Sequence, residues 1–235
     1  MIMHSRSSKS IDILPRAVVF DLDGLMVNTE ELYQEVGTEL LQRRGCLFES
    51  DLLTQMMGRP PSISLSIMIE HHGLKDSVEE LATESQEIFR TILDARLQPM
   101  PGLLELLHAM DRTGMPRGVA TSSPPKFAWD VLRRVGLDSR IDFVLTCDDV
   151  VEGKPHPEVY LLAAQKFQVN PAEMMALEDS QNGCRAAVAS GAFTVAIPGD
   201  HSRNHEFPGA QFIADSLHDA RIYDALGLAG NPTME

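Results

Sequence analysis

Basic residues are scarce in this chain. Twenty Lys and Arg stand against 34 Asp and Glu, a formal charge of −14 over 235 residues. A surface of that sign repels nucleic-acid phosphates and anionic lipid, so neither nucleic acid nor membrane is an expected partner. Cysteine is scarcer still. Cys46, Cys147 and Cys184 are odd in number, widely spaced and include no C-x-x-C pair. That excludes a disulfide framework and a thiolate zinc site, and it points to a reducing, cytoplasmic setting. No apolar run reaches the roughly 18 residues of a membrane span, and no signal-peptide core opens the chain. G-x-G-x-x-G, Walker A and G-x-S-x-G segments are also missing, which removes support for dinucleotide, P-loop and serine-hydrolase readings. The pair His71-His72 has no H-E-x-x-H spacing and reads as a surface or helix-end pair.

What remains is ordinary globular composition, 43% apolar and 23% charged, enough to build a core. Residues 1–14 are polar and Ser-rich and read as a flexible tail. Ala17-Val18-Val19-Phe20 then forms a short apolar run that ends in Asp21-Leu22-Asp23-Gly24. It reads as a buried strand opening into a turn. Residues 30–98 carry helical spacing, through Leu32, Tyr33, Val36, Leu40 and Leu41, and again from Val78 to Leu93. Ser62-Ile63-Ser64-Leu65-Ser66-Ile67 alternates as a strand would, but its helical neighbours place it in a helix.

Beyond Pro99-Met100-Pro101-Gly102 the texture changes. Strands are predicted at 118–121, 143–146, 174–177, 194–197 and 212–213. Helices are predicted at 103–110, 127–135, 157–167 and 181–190. Strands alternating with helices imply right-handed crossovers and a parallel sheet. The expected fold is α/β, a Rossmann-like parallel sheet with helices on both faces, formed by 15–29 and 99–235. The block 30–98 is too long for a loop and reads as an inserted helical domain.

In such a sheet, ligands bind at the carboxyl ends of the strands. Asp21 and Asp23 follow the first strand, Thr121-Ser122-Ser123 ends the second, and Glu178-Asp179 ends the strand from Met174. Lys154 precedes a helix. Four converging carboxylates repel one another, and burial worsens that. A hard divalent cation resolves the conflict; carboxylates plus a substrate phosphate describe a Mg²⁺ site. Lys154 adds positive charge and Thr121 a hydroxyl, which together match a tetrahedral anion. Singly, each segment is more often a turn, a helix cap or a solvated loop charge. Their joint occurrence, in this order, makes the functional case.

Val19-Phe20-Asp21-Leu22-Asp23-Gly24, Ala120-Thr121-Ser122-Ser123, Gly153-Lys154-Pro155-His156-Pro157 and Leu177-Glu178-Asp179-Ser180 resemble the four motifs of the haloacid dehalogenase-like phosphatase superfamily. The resemblance spans about residues 17–215 and makes the helical block a cap. It implies Asp21 as nucleophile, forming an aspartyl-phosphate, and Asp23 as general acid and then base. Thr121, Ser122 and Lys154 would hold the phosphoryl group. Asp21, the carbonyl of Asp23 and Asp179 would bind Mg²⁺, with Glu178 as a ligand or just behind one. Leu25 and Thr29-Glu30-Glu31-Leu32-Tyr33 are similar to the sugar-phosphate and nucleotide-phosphate branch, near the pseudouridine 5′-phosphatases. Asn28 stands where aspartate is common there. Tyr33 stands where β-phosphoglucomutases carry a cap histidine, which counts against a mutase. Tyr33 and Arg59, the latter in a loop with Met57, would shape the leaving-group pocket. The implied partner is a small phosphorylated metabolite. The expected assembly is a monomer or weak homodimer. The alternatives are a phosphomutase with the same aspartyl-phosphate, and a non-catalytic binding module, which would have lost Asp21 or Asp23.

Overall fold

The computed structural model describes residues 14–56 and 61–228. The expected tail, apart from Leu14, and the loop residues Met57 and Arg59 lie outside the described residues. In chain order the elements are β1 (Ala17–Phe20), α1 (Thr29–Gln42), α2 (Ser50–Met56), α3 (Pro61–His72), α4 (Val78–Arg96), α5 (Leu103–Thr113), β2 (Arg117–Ala120), α6 (Pro125–Arg134), β3 (Phe143–Leu145), α7 (Glu158–Phe167), β4 (Met174–Glu178), α8 (Gln181–Ser190), β5 (Phe193–Ala196), β6 (Phe212–Ile213) and α9 (Ala220–Ala225). They form two compact units. One comprises the chain up to Met26 and from Pro99 onward; the other is Val27–Gln98.

In the first unit, six parallel strands lie in the order β3-β2-β1-β4-β5-β6. Every residue of β1 and of β4 is buried. Their runs AVVF and MMALE do not alternate, as expected of strands covered on both faces. One face packs on α7 and α8 through Val19, Ala120 and Ala176 of the sheet and Ala163, Ala164, Ala186 and Ala187 of the helices. These small residues let the helix axes approach closely. Val18 and Phe20 point to the opposite face and are equally buried. From β1 the chain steps outward to β2 and β3, then returns to place β4 on the other flank of β1. Strand order therefore reverses at β1, and the carboxyl ends of β1 and β4 border the crevice where an open α/β sheet binds ligands.

The second unit is helical. Its core joins Val36, Leu40 and Leu41 of α1, Leu52 of α2, Leu65 and Met68 of α3, and Leu81 and Ile88 of α4. The alternating stretch 62–67 lies within α3, which ends on His71-His72. Its serines are accommodated locally: Ser66 Oγ donates to the Ser62 carbonyl (3.0 Å) and Ser64 Oγ to the Met56 carbonyl (3.1 Å). The first is a back-bond within the helix, which satisfies a hydroxyl there; the second reaches the last residue of α2. Ser77 and Glu80 form a reciprocal cap on α4, which fixes its start. Asn28 ties the unit's two ends together. Its Oδ1 accepts from the Gln98 amide (2.9 Å) and its Nδ2 donates to the Arg96 carbonyl (3.2 Å). An ionised aspartate could make the first of these bonds and not the second. Among the described residues, no helix is long and apolar enough to cross a membrane.

Candidate active site

The site assembles in the first unit, at the carboxyl ends of β1, β2 and β4. The Asp21 amide extends the sheet by donating to the Leu177 carbonyl (3.0 Å). The chain then turns at Gly24, whose φ of +80° suits glycine. Asp23 Oδ2 accepts from Thr121 Oγ1 (3.1 Å) and Ser123 Oγ (2.7 Å). Thr121 is fixed in turn, because its Oγ1 accepts from the Ser123 amide (2.9 Å).

Lys154 is far from a solvated loop charge. Its side chain is 6% exposed. Nζ donates to Asp21 Oδ1 (2.5 Å), Glu178 Oε1 (2.6 Å) and the Ala120 carbonyl (2.9 Å). Those bonds use all of an ammonium's protons, so one cation is locked between β1, β2 and β4. Tyr160 of α7 donates to the same Glu178 Oε1 and places its ring 5.2 Å from Lys154 Nζ. Glu178 Oε2 accepts from Ser180 Oγ (3.2 Å) and from the Ser180 amide (3.4 Å). Ser180 also caps α8, accepting from the Gly183 amide (3.1 Å). A Cβ on Gly183 would lie 1.8 Å from Glu178 Oε1 and 2.1 Å from Oε2. The buried carboxylate occupies the space that any larger residue at 183 would need. Asp179 Oδ2 lies 2.7 Å from His201 Nε2.

The charges do not balance. Asp21, Glu178 and Asp179 are buried, with carboxylate oxygens within 4.8 Å of one another. Burial pushes the Asp21 carboxyl well above the usual carboxylate range; Lys154 pulls it down, while Glu178, Asp179 and Asp23 push it further up. Burial also opposes the charge on Lys154, but Asp21 and Glu178 outweigh it and hold the ammonium well above the usual lysine value. Burial beside Glu178 keeps the Tyr160 phenol protonated far above its ordinary range. A buried set of hard oxygen donors in excess of its lysine suits a divalent metal.

The sequence-predicted residues Asp21, Asp23, Thr121, Lys154, Glu178 and Asp179 thus come together. Ser122 is exposed, and it is Ser123 that reaches Asp23. Tyr33 lies in the second unit, 45% exposed and stacked on Phe89 with ring centroids 4.4 Å apart. Arg59 falls outside the described residues. Sequence reasoning named Ser123 within a motif without giving it a role, and missed Tyr160, Gly183 and His201. The strand-end rule, applied to β5, would have reached the loop that carries His201. Tyr160 sits in the apolar stripe of α7 with Val159, Ala163 and Ala164, and nothing in its spacing marks it.

Fold and site together define an α/β enzyme with an acidic, metal-suited centre at a topological switch point. Residues 18–197 match the haloacid dehalogenase-like hydrolase family, and the chain belongs to that family. It is 34% identical over 175 residues to a phosphorylated carbohydrates phosphatase of Thermotoga maritima, covering 74% of this chain and 81% of that one. It is 32% identical over 192 residues to validoxylamine A 7′-phosphate phosphatase of Streptomyces hygroscopicus subsp. limoneus, covering 79% and 87%. Among solved structures, CbbY from Rhodobacter sphaeroides in complex with phosphate superposes with a TM-score of 0.71 at 26% identity, covering 87% of this chain and 95% of that one.

Proposed function

We propose that this chain is a Mg²⁺-dependent phosphatase that hydrolyses a small sugar or nucleoside monophosphate through an aspartyl-phosphate on Asp21. Phosphoric monoester hydrolysis is the reaction class of its named relatives. The observation that carries the reading is the buried contact of Lys154 with both Asp21 and Glu178 beside Asp179. It leaves a carboxylate nucleophile next to a cation and an acidic pair.

Asp21 attacks phosphorus in line while the leaving alcohol departs. Lys154 neutralises charge on Asp21 and on the arriving phosphoryl oxygens; Ser122 offers those oxygens its hydroxyl, and Thr121 does so when its one proton turns from Asp23 to the phosphoryl group. Positioning and charge stabilisation of this kind carry most of phosphoryl-transfer catalysis. Asp23, held by Thr121 and Ser123, gives a proton to the leaving oxygen and later takes one from the attacking water. Asp21, the Asp23 carbonyl and Asp179 would hold Mg²⁺, which when bound supplies the positive charge that lets nucleophile and phosphate approach. Glu178, whose oxygens are committed to Lys154, Tyr160 and Ser180, orients the lysine rather than binding the metal. A cytoplasmic setting fits three cysteines that are all unpaired.

The test is a screen of phosphorylated metabolites with Mg²⁺, reading phosphate release. A companion assay with β-glucose 1-phosphate and catalytic glucose 1,6-bisphosphate separates the phosphomutase reading. Phosphate is expected to appear at least as fast as glucose 6-phosphate. Glucose 6-phosphate forming much faster would overturn hydrolysis in favour of a mutase.

A further inference from the structure

The geometry points to His201 as a positioning residue: its imidazole Nε2 holds Asp179 Oδ2 and so sets the carboxylate that receives the divalent cation. The inference rests on the metal-site reading above and adds to it a residue outside the four strand-end motifs. His201 enters from the loop after β5, a different strand from those that supply the carboxylates. Its side chain is 12% exposed and that of Asp179 is 3% exposed, and the two atoms are 2.7 Å apart. A hydrogen bond of that length to a buried carboxylate fixes one oxygen and orients the other.

The loop is built to deliver this ring. Residues Asp200–Ser202 form a single tight turn, closed by the Ser202 amide on the Gly199 carbonyl (3.1 Å). The next turn is closed by the His205 amide on the Ser202 carbonyl (2.9 Å), and Ser202 is fully buried. A Cβ on Gly199 would lie 3.0 Å from both Cε1 and Nδ1 of His201. Glycine at 199 therefore leaves room for the imidazole to pass close to the backbone on its way to Asp179. Solvent does not supply this bond, because both side chains are nearly shut off from it. Partners of this kind behind a metal ligand characteristically matter about 10–100-fold in metal affinity.

The experiment measures Mn²⁺ binding to the full chain by the loss of the free-ion paramagnetic resonance signal, with melting of each metal-free protein as a check on folding. His201→Ala is expected to bind Mn²⁺ about 10–100-fold more weakly than wild type. His201→Gln, whose amide nitrogen reaches as far as Nε2, is expected to recover most of that loss. His201→Asn, one methylene shorter, is expected to bind as weakly as His201→Ala. Should His201→Ala fail to fold, the comparison of Gln with Asn decides: Gln tighter than Asn supports the role, and equal affinities overturn it. His201→Ala folding normally and binding Mn²⁺ as tightly as wild type overturns it as well. Wild type that does not bind Mn²⁺ at all overturns the metal site and this role together. Wild type that binds beside indifferent variants removes only His201.

Discussion

Replacing Gly183 by alanine sets two physical effects against each other with opposite signs. Gly183 lies in the first turn of α8, where alanine is favoured over glycine by about 1 kcal/mol on helix propensity alone. The structure demands the reverse. The added methyl would lie 1.8 Å from Glu178 Oε1, 2.0 Å from its Cδ and 2.1 Å from Oε2. The carboxylate cannot step aside freely, because Lys154 and Tyr160 hold Oε1 while Ser180 holds Oε2. Displacing it breaks hydrogen bonds to a buried charge, about 1.5–3 kcal/mol each. It also strips Lys154 of one of two anionic partners, and a broken buried pair costs about 3–5 kcal/mol. Allowing for partial relaxation and the propensity gain, Gly183→Ala should lose about 2–4 kcal/mol. At about 2–4 °C per kcal/mol for a chain of this size, the melting temperature should fall by about 4–16 °C. Urea melts with unchanged slope measure the loss. In a Glu178→Ala background the obstruction is gone, so the second substitution should be neutral or mildly stabilising, a coupling that a double-mutant cycle isolates. Gly183→Ala as stable as wild type, or more so, would refute the placement of the Glu178 carboxylate against α8.

The other predictions concern turnover. Asp23→Asn should slow hydrolysis about 10²–10⁴-fold, with the loss shrinking for esters of acidic alcohols that need no protonation; equal losses for good and poor leaving groups, read in the pre-steady-state burst, would remove Asp23 as the acid. Activity should vanish in excess chelator and return with Mg²⁺ but not with Ca²⁺, whose longer bonds and higher ligand number draw both Asp21 oxygens away from phosphorus; full turnover in chelator contradicts the donor-set argument. Tyr160→Phe should keep the fold while raising KM for the phosphoester and lowering kcat, because the Lys154–Glu178 contact loses its lateral support; unchanged kinetics would reduce Tyr160 to packing.

The parts of the site that follow from strand ends were open to sequence reasoning. Asp21, Thr121 and Glu178-Asp179 each continue an apolar run, and the carboxyl-end rule needs only that. The meeting of Lys154 with Asp21, 133 positions apart, is a product of topology: the chain must return across β1 for β4 to bring Glu178 beside both. Tyr160 and Gly183 were hidden for a different reason. A buried tyrosine in an apolar stripe and a glycine in a helix both read as packing, and only the position of the Glu178 carboxylate gives them meaning. The alternation at 62–67 misleads because serines whose hydroxyls find carbonyls, Ser66 within α3 and Ser64 at the end of α2, sit in a helix where a strand's polar positions would be expected. Helix α2 is seven residues long, too short for its periodicity to stand out from the helical block around it.

The most direct measurement is to trap the covalent intermediate. The enzyme is mixed with Mg²⁺ and the metabolite it turns over fastest, quenched in acid within the burst, digested and mapped by mass spectrometry. One phosphoryl group is expected on Asp21, and none in Asp21→Asn, which should fold normally and have no turnover. A phosphoryl group on another residue, or sustained turnover by a folded Asp21→Asn protein, would contradict the account.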